Sequence, residues 1–497
     1  MILTLILLPI TAGVAMLGIR SAVVRRCLLM VVAAVHAVLT ACAWAHSPAP
    51  VLDGWLLLDA PGLLFLGITS ALFLVVALYA LGYLNREDWG KRQDFEEGFL
   101  FSNSRESVFL CCLLLFLGMM TLVTVSQHFG LIWVAVEATT LTSAPLIYFH
   151  RHRRSLEATW KYIMICSVGI ALALLGNFFL AVASTLSENS HVPMLVSRLI
   201  QSAPQLHVLW LKAAFLFLLV GYGTKLGLAP MHTWLPDAHS ESPSVISALL
   251  SGALLNCAFL AILRVQQVCV AAGQGDFGRN LMLGFGLFSM LIAAAFILQQ
   301  TDFKRMLAYS SVEHVGIMSL GIGVGAGYGA MLHAVNHSLT KGMLFLVAGN
   351  ILAAYHNKST RDIKGVLTVL PFSGLLWIAG FLAITGAPPF GIFLSELTIL
   401  KVALDQGRFA VAFGYLLLLS VIFIAMASIV FPMAQGAPSG LPTETSSDTA
   451  IAAVGRESAL AIIPPMVLCA AILVLGVYIP PVLQHVLKQA AVTVGTF

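Results

Sequence analysis

The feature that most limits what this chain can become is a recurring apolar run, long enough to cross a bilayer and repeated from one end to the other. A hydrocarbon core takes roughly 20 apolar residues as a helix. Fourteen such spans are legible, at about 2–19, 28–45, 62–83, 107–127, 129–149, 158–183, 208–230, 243–266, 280–300, 306–325, 328–353, 371–404, 410–432 and 458–483. Lipid offers no partner for backbone N–H and C=O groups, so such runs fold as helices. The expectation is an all-α polytopic membrane protein. Composition agrees, with 59% of the 497 residues apolar and only 10% charged, against about 25% charged in ordinary soluble domains. A soluble chain could not cover its surface with what remains. Soluble enzymes, nucleic-acid binders and disordered scaffolds are thereby excluded, and a net charge of +4 is too small to call for a nucleic-acid partner.

No dinucleotide fingerprint follows a strand, and no P-loop is present. The 8 cysteines form no CxxC pair and sit mostly in apolar runs, as small buried hydrophobes do. No cofactor and no metal site are expected from these signals.

Positive charge sets orientation. Sixteen Lys and Arg fall in the odd-numbered loops, Lys304, Lys358 and Arg456 among them, and five in the even loops and C-terminus, Arg264 among them. The odd loops are therefore expected in the cytoplasm and both termini outside. Positives at Arg20, Arg25 and Arg26 follow the first apolar run rather than precede it, which reads as a retained helix and not a cleaved signal. The organisation predicted is a three-helix segment over 1–106, a five-helix unit over 107–266, a second over 280–434, and a last helix within 458–497. Five is odd, so the second unit enters from the opposite side, making inverted repeats. Two spans carry breakers, the seventh at GYGTKLGLAP (221–230) and the twelfth at TGAPPFG (385–391). Each is fourth in its unit, and such breaks line cavities. The stretch 84–106 is expected to form a short surface helix, and 433–457, rich in Pro, Gly, Ser and Thr, a flexible loop.

An ionisable group at mid-membrane costs on the order of 2.5–3.5 kcal/mol, so it persists when paired, hydrated or used. The candidates are Glu137 in the fifth span, Lys225 at the break of the seventh, Glu313 and His314 in the tenth, His333, His337 and Lys341 in the eleventh, and Glu396 and Lys401 after the break of the twelfth. His333, His337 and Lys341 stand at i, i+4 and i+8 on one helix face, a stripe of about 12 Å. Glu137 and Lys225 hold the same ranks in the first unit as Glu313 and Glu396 in the second. Two ion pairs serving only packing would be poor stabilisers. The intramembrane cations are Lys and His, which exchange protons; no Arg is expected near a span centre. A proton path is the reading. PMHTWLPDAHSESPS (230–244) holds His232, Asp237, His239 and Glu241 in an irregular, Pro-rich setting; it matches no metal-ligand spacing and is expected to be a wet loop or to pack on its neighbour.

These segments together resemble a known family. VEATTL around Glu137, GTKLGLAPMHTWLPDAHSESPSVISALLSGALLN (223–256), LAYSSVEHVG (307–316), HAVNHSLTKGMLF (333–345) and PPFGIFLSE (388–396) are similar to the proton-pumping antiporter-like subunits of respiratory complex I, of Mrp-type sodium/proton antiporters and of membrane-bound hydrogenases. WKYIMIC (160–166), LPDAHSE and Asn256 place the resemblance nearest the hydrogenase-4 branch. It implies that Glu137 and Lys225 form the pair of a first half-channel. It makes His333, His337 and Lys341 a hydrated central axis, and Glu396 the acid near the exit. Some relatives carry lysine where this chain has Asn256, which cannot titrate.

The chain is thus expected to be a non-redox, proton-translocating subunit in a bacterial inner membrane, without cofactor. Its partners would be other membrane subunits and a peripheral redox arm. Alternatives are a subunit of an Mrp-type sodium/proton antiporter, a membrane partner in a non-redox complex such as inorganic-carbon uptake, and a spacer that pumps nothing.

Overall fold

The computed structural model describes residues 1–495 except 88, 95–97, 188–189, 440 and 442–456. The chain opens with α1 (Ile2–Met16), α2 (Ala22–Ala45), α3 (Ala60–Arg86), α4 (Glu106–Val125), α5 (Phe129–Ile147) and α6 (Arg153–Ala183). A short α7 (Val196–Gln201) leads to α8 (Val208–Leu226), α9 (Trp234–Glu241), α10 (Ser244–Leu249) and α11 (Leu255–Ala271). Then follow α12 (Gly275–Ile297), α13 (Phe303–Gly323), α14 (Gly327–Tyr355), a single turn α15 (Val366–Val369), α16 (Pro371–Ile384), α17 (Gly391–Asp405), α18 (Phe409–Ala434), α19 (Ala459–Val477) and α20 (Pro481–Thr493). Two small antiparallel pairs complete it, β1 (Lys91–Gln93) with β2 (Leu100–Ser102) and β3 (Thr185–Ser187) with β4 (Ser190–His191).

Among the described residues, eleven helical stretches are long and apolar enough to cross a membrane. The other three expected spans differ for identifiable reasons. α1 is only 15 residues long. α13 carries Lys304, Arg305, Glu313, His314 and several serines, which lower its hydropathy. The twelfth span is two helices, α16 and α17, broken as its Gly and Pro residues predicted. The outward faces of α2, α6 and α18 stay apolar, with Val38, Trp160, Met164, Phe178, Phe413 and Ile424 exposed. Lipid suits such faces and water does not.

α14 is the hub: it packs on α3, α10, α13, α16, α17, α19 and α20, and its residues from Gly329 to Ser338 are all buried. α10 and α11 are continuous through a π-helical segment over Leu250–Leu254. α6 lies close along α8 because Gly221 leaves room: a Cβ there would come within 2.5 Å of the Ala173 backbone nitrogen. That approach sets Tyr162 of α6 beside the C-terminal turn of α8.

Several expectations need correction. Between the end of α3 at Arg86 and the start of α4 at Glu106, the described residues hold the antiparallel β1–β2 pair rather than a surface helix. Of the two readings of 230–244, the wet loop gives way to packing on neighbouring helices: a 3-10 turn over Met231–Thr233 runs into α9, which lies against α6 and α13. The C-terminal segment holds two helices; Pro480 and Pro481 end the first and Pro481 stands in the first turn of α20. Arg264, counted as a loop positive, is buried in α11, where it makes a bidentate pair with Asp59, the N-cap of α3. Lys304 and Lys358 are likewise buried rather than solvated. Of the cysteines, five are buried, Cys112 is half-buried, and Cys27 and Cys42 lie exposed on α2. Most of the expected loop over 433–457, with Arg456, lies outside the described residues.

Candidate functional site

The two breaks deliver the chemistry. α8 stops at Gly227, whose φ of +89° no β-carbon residue adopts readily. The amides of Gly227 and Leu228 return to the Gly223 carbonyl at 2.9 Å, closing the helix end. The carbonyl of Thr224 accepts from Trp234 Nε1 at 2.8 Å, and Ser289 Oγ accepts from the Ala229 amide at 3.0 Å. The freed backbone is therefore satisfied by side chains. Lys225 sits in this last turn, where the helix end is negative.

Lys225 is buried, and its Nζ donates to Thr140 Oγ1 at 2.9 Å and to the Tyr162 hydroxyl at 2.5 Å. It also lies 4.4 Å from the Tyr162 ring centre. Thr140 Oγ1 is 3.2 Å from Glu137 Oε2 and donates to it. Ser143 Oγ is 2.6 Å from the Tyr162 hydroxyl. Glu137 and Lys225 are thus linked through one hydroxyl and make no direct ion pair among the described residues. Glu137 itself is half-buried.

At the second centre, too, the lysine makes no ion pair among the described residues. Lys341 is fully buried in mid-helix and donates to the Leu307 carbonyl at 2.6 Å and to Ser310 Oγ. The His337 ring stacks on His314 with centres 5.1 Å apart, and neither of its nitrogens meets a protein partner. His314 Nδ1 is 2.8 Å from His333 Nε2, and His333 Nδ1 is 3.0 Å from Ser395 Oγ. Glu313 Oε2 is 4.0 Å from His314 Nε2. Glu396 is buried at the start of α17, its Oε1 without a protein partner. It is pressed against Gly386 of the break, where a Cβ would overlap Oε2.

Between the two centres stands Asn256. Its Nδ2 donates to Ser338 Oγ at 2.7 Å and to the Gly252 carbonyl at 3.1 Å. Its Oδ1 is buried and meets no protein donor. An unsatisfied buried acceptor costs about 1–3 kcal/mol, and a water molecule would relieve that.

Of the residues singled out from the sequence, Glu313, His333, His337, Lys341 and Glu396 are brought together, and Glu137 and Lys225 are linked at the first centre. Lys401 is not: five residues beyond Glu396, it lies exposed on the other side of α17. His314 proves central, placed by a helix 19 residues before His333. The hydroxyls of Thr140, Tyr162, Ser310 and Ser395 were not legible as site residues, since nothing in their spacing marks them. In the 230–244 segment the ionisable residues face different partners. Asp237 pairs with Lys161 at 2.9 Å and Arg305 at 2.6 Å, Glu241 pairs with Lys358 at 3.0 Å, and His239 stacks on Phe345. They converge on no common point.

Residues 126–433 match a family model described as NADH:quinone oxidoreductase/Mrp antiporter, transmembrane. A hydrogenase-4 component F homolog from Methylacidiphilum infernorum is 35% identical over 388 residues, covering 76% of this chain and 80% of that protein. A Na(+)/H(+) antiporter subunit A1 from Staphylococcus aureus is 29% identical over 468 residues, covering 88% of this chain; the chain spans 54% of that protein's length. Among solved structures, a chain of the membrane-bound sulfane sulfur reductase, an archaeal respiratory membrane complex, superposes with a TM-score of 0.82 at 19% identity, covering 100% of this chain and 98% of that one.

Proposed function

The chain belongs to the NADH:quinone oxidoreductase/Mrp antiporter transmembrane family, and on that premise we propose that it moves protons across a bacterial inner membrane as a subunit of a redox-driven complex of the hydrogenase-4 or complex I kind. The observation that carries this is the buried cluster of α13, α14 and α17. In a chain only 10% charged, Lys341, His337, His314, His333, Glu313 and Glu396 lie on three packed helices in one continuous polar seam. Burying such groups is costly unless they are used.

Protons enter the first centre at Glu137, pass the Thr140 hydroxyl and charge Lys225. From Lys225 they reach Lys341 through water at Asn256, whose Oδ1 accepts and whose side chain stores no charge. Beyond Lys341 the imidazoles relay them, each able to accept on one nitrogen and release from the other, towards Glu396. A change of charge at Glu137–Lys225 alters the proton affinity of the groups that follow, and this couples a partner's electron transfer to translocation. Redox centres reside in a peripheral arm formed by other subunits. The five-helix units over 107–266 and 280–434 act as inverted repeats, with both termini outside the cytoplasm. In the native complex reconstituted in sealed vesicles, Lys225→Ala and Lys341→Ala should each abolish proton pumping with assembly intact. Wild-type pumping in both would refute the reading.

The likeness to an antiporter subunit over 88% of the chain supports a second reading, sodium/proton exchange. Translocation that needs sodium and no electron donor would favour it.

A further inference from the structure

His314, His333 and Glu396 come from three different helices, and each presents one ligand atom, all within 4.8 Å of one another. We propose that this cluster is a binding site for a divalent transition-metal ion of the zinc class. Two imidazoles and a carboxylate are the donor set that Zn²⁺ and Co²⁺ favour with an open fourth position. Tetrahedral bonds of about 2.0–2.1 Å put ligand atoms roughly 3.3 Å apart. The His314–His333 edge of 2.8 Å therefore opens slightly, and the glutamate swings inward.

The hydrogen bonds around the cluster are those of a prepared site. Ser395 Oγ donates to the Ile392 carbonyl at 2.8 Å, so it accepts from His333 Nδ1. His333 is thereby held with its Nε2 lone pair facing His314, as an outer partner holds a metal-binding histidine. His314 Nδ1 now donates into that lone pair, leaving its own Nε2 without a hydrogen-bond partner. An arriving ion takes the place of this single bridging proton. The proton moves from Nδ1 to Nε2 of His314, towards Glu313 Oε2 at 4.0 Å, and no net proton is lost from the histidines. Glu396 binds as carboxylate, and any proton it holds goes to solvent. Ser395 holds one histidine, and Glu313 Oε2, 4.0 Å from His314 Nε2, would close by about 1 Å to hold the other. Glu396 Oε1 is buried and otherwise unpartnered. Glu396 also lines a cavity of about 360 Å³ with Thr385, Tyr415 and Ser420, whose rim includes the exposed Leu397 and Ile424.

The test is titration of the purified, metal-stripped full-length chain with Co²⁺, read by its visible d–d absorption and by displacement with Zn²⁺. One Co²⁺ per chain should give a tetrahedral spectrum. His314→Gln and Glu396→Gln should each weaken binding at least tenfold, and Ser395→Ala, which removes no ligand, about tenfold. His485→Gln, far off on α20, should leave the titration unchanged. A missing tetrahedral spectrum, or His314→Gln and Ser395→Ala both binding as wild type, would overturn the proposal. Ion binding is read without turnover, so it stands or falls separately from proton translocation.

Discussion

The two buried lysine centres of the chain are built differently. Lys225 ends a broken helix, and its ammonium is met by side-chain hydroxyls. Lys341 lies in the middle of the unbroken α14, and its ammonium is met by a backbone carbonyl and one serine. The first centre reaches a half-buried acid through a single threonine; the second opens onto three stacked imidazoles and two buried acids. A centre that meets a partially exposed carboxylate can feel a neighbouring subunit, and a fully buried chain of imidazoles is suited to passing protons along. Under the proposed function, the difference would give sensing to the first centre and conduction to the second.

The comparison can be broken at graded points. The largest effect belongs to the conducting centre. His337→Leu removes ring nitrogens that no protein group replaces and should cut proton flux by about 100-fold or more, as loss of a proton-transfer group does, while His337→Gln should recover none of it; vesicle pumping assays check both. If the leucine variant pumps normally, the imidazole seam is not the conductor. Thr140→Val takes away the hydrogen-bonded link between Glu137 and Lys225 without touching either charge. It should lower coupled pumping by about tenfold, at the lower edge of proton-transfer losses, with less effect on passive proton leak through the second centre. Equal loss of both would erase the division between sensing and conduction. Asn256→Leu should slow transfer between the centres, and Asn256→Asp should restore it. Substitution of Lys401 by alanine should change pumping by less than twofold, about the effect of altering an exposed charge; a larger loss would bring that residue back into the path.

Much of this was legible in the residues alone. The apolar runs, the two glycine- and proline-bearing breaks and the stripe at His333, His337 and Lys341 all rest on period and chain order, and the helices follow them. What could not be read were contacts between distant helices. His314 meets His333 because α13 turns directly into α14 and packs against it. Tyr162 meets Lys225 because small residues let α6 and α8 approach. Lys401 looked like a member of the axis because it shares a helix with Glu396, but five residues of helical rotation turn it outward. Arg264 reads as a loop charge because it stands at the very end of the span read as 243–266, whereas α11 continues to Ala271 and buries the guanidinium on Asp59.

The central claim is that Lys341 works by gaining and losing a proton rather than by supplying a fixed charge. Lys341→Arg in the reconstituted complex separates the two, because arginine keeps the charge and cannot be deprotonated. With electron transfer driven in sealed vesicles, the account predicts an assembled complex that transports no protons through this subunit. Proton pumping at the wild-type rate in that variant would contradict it.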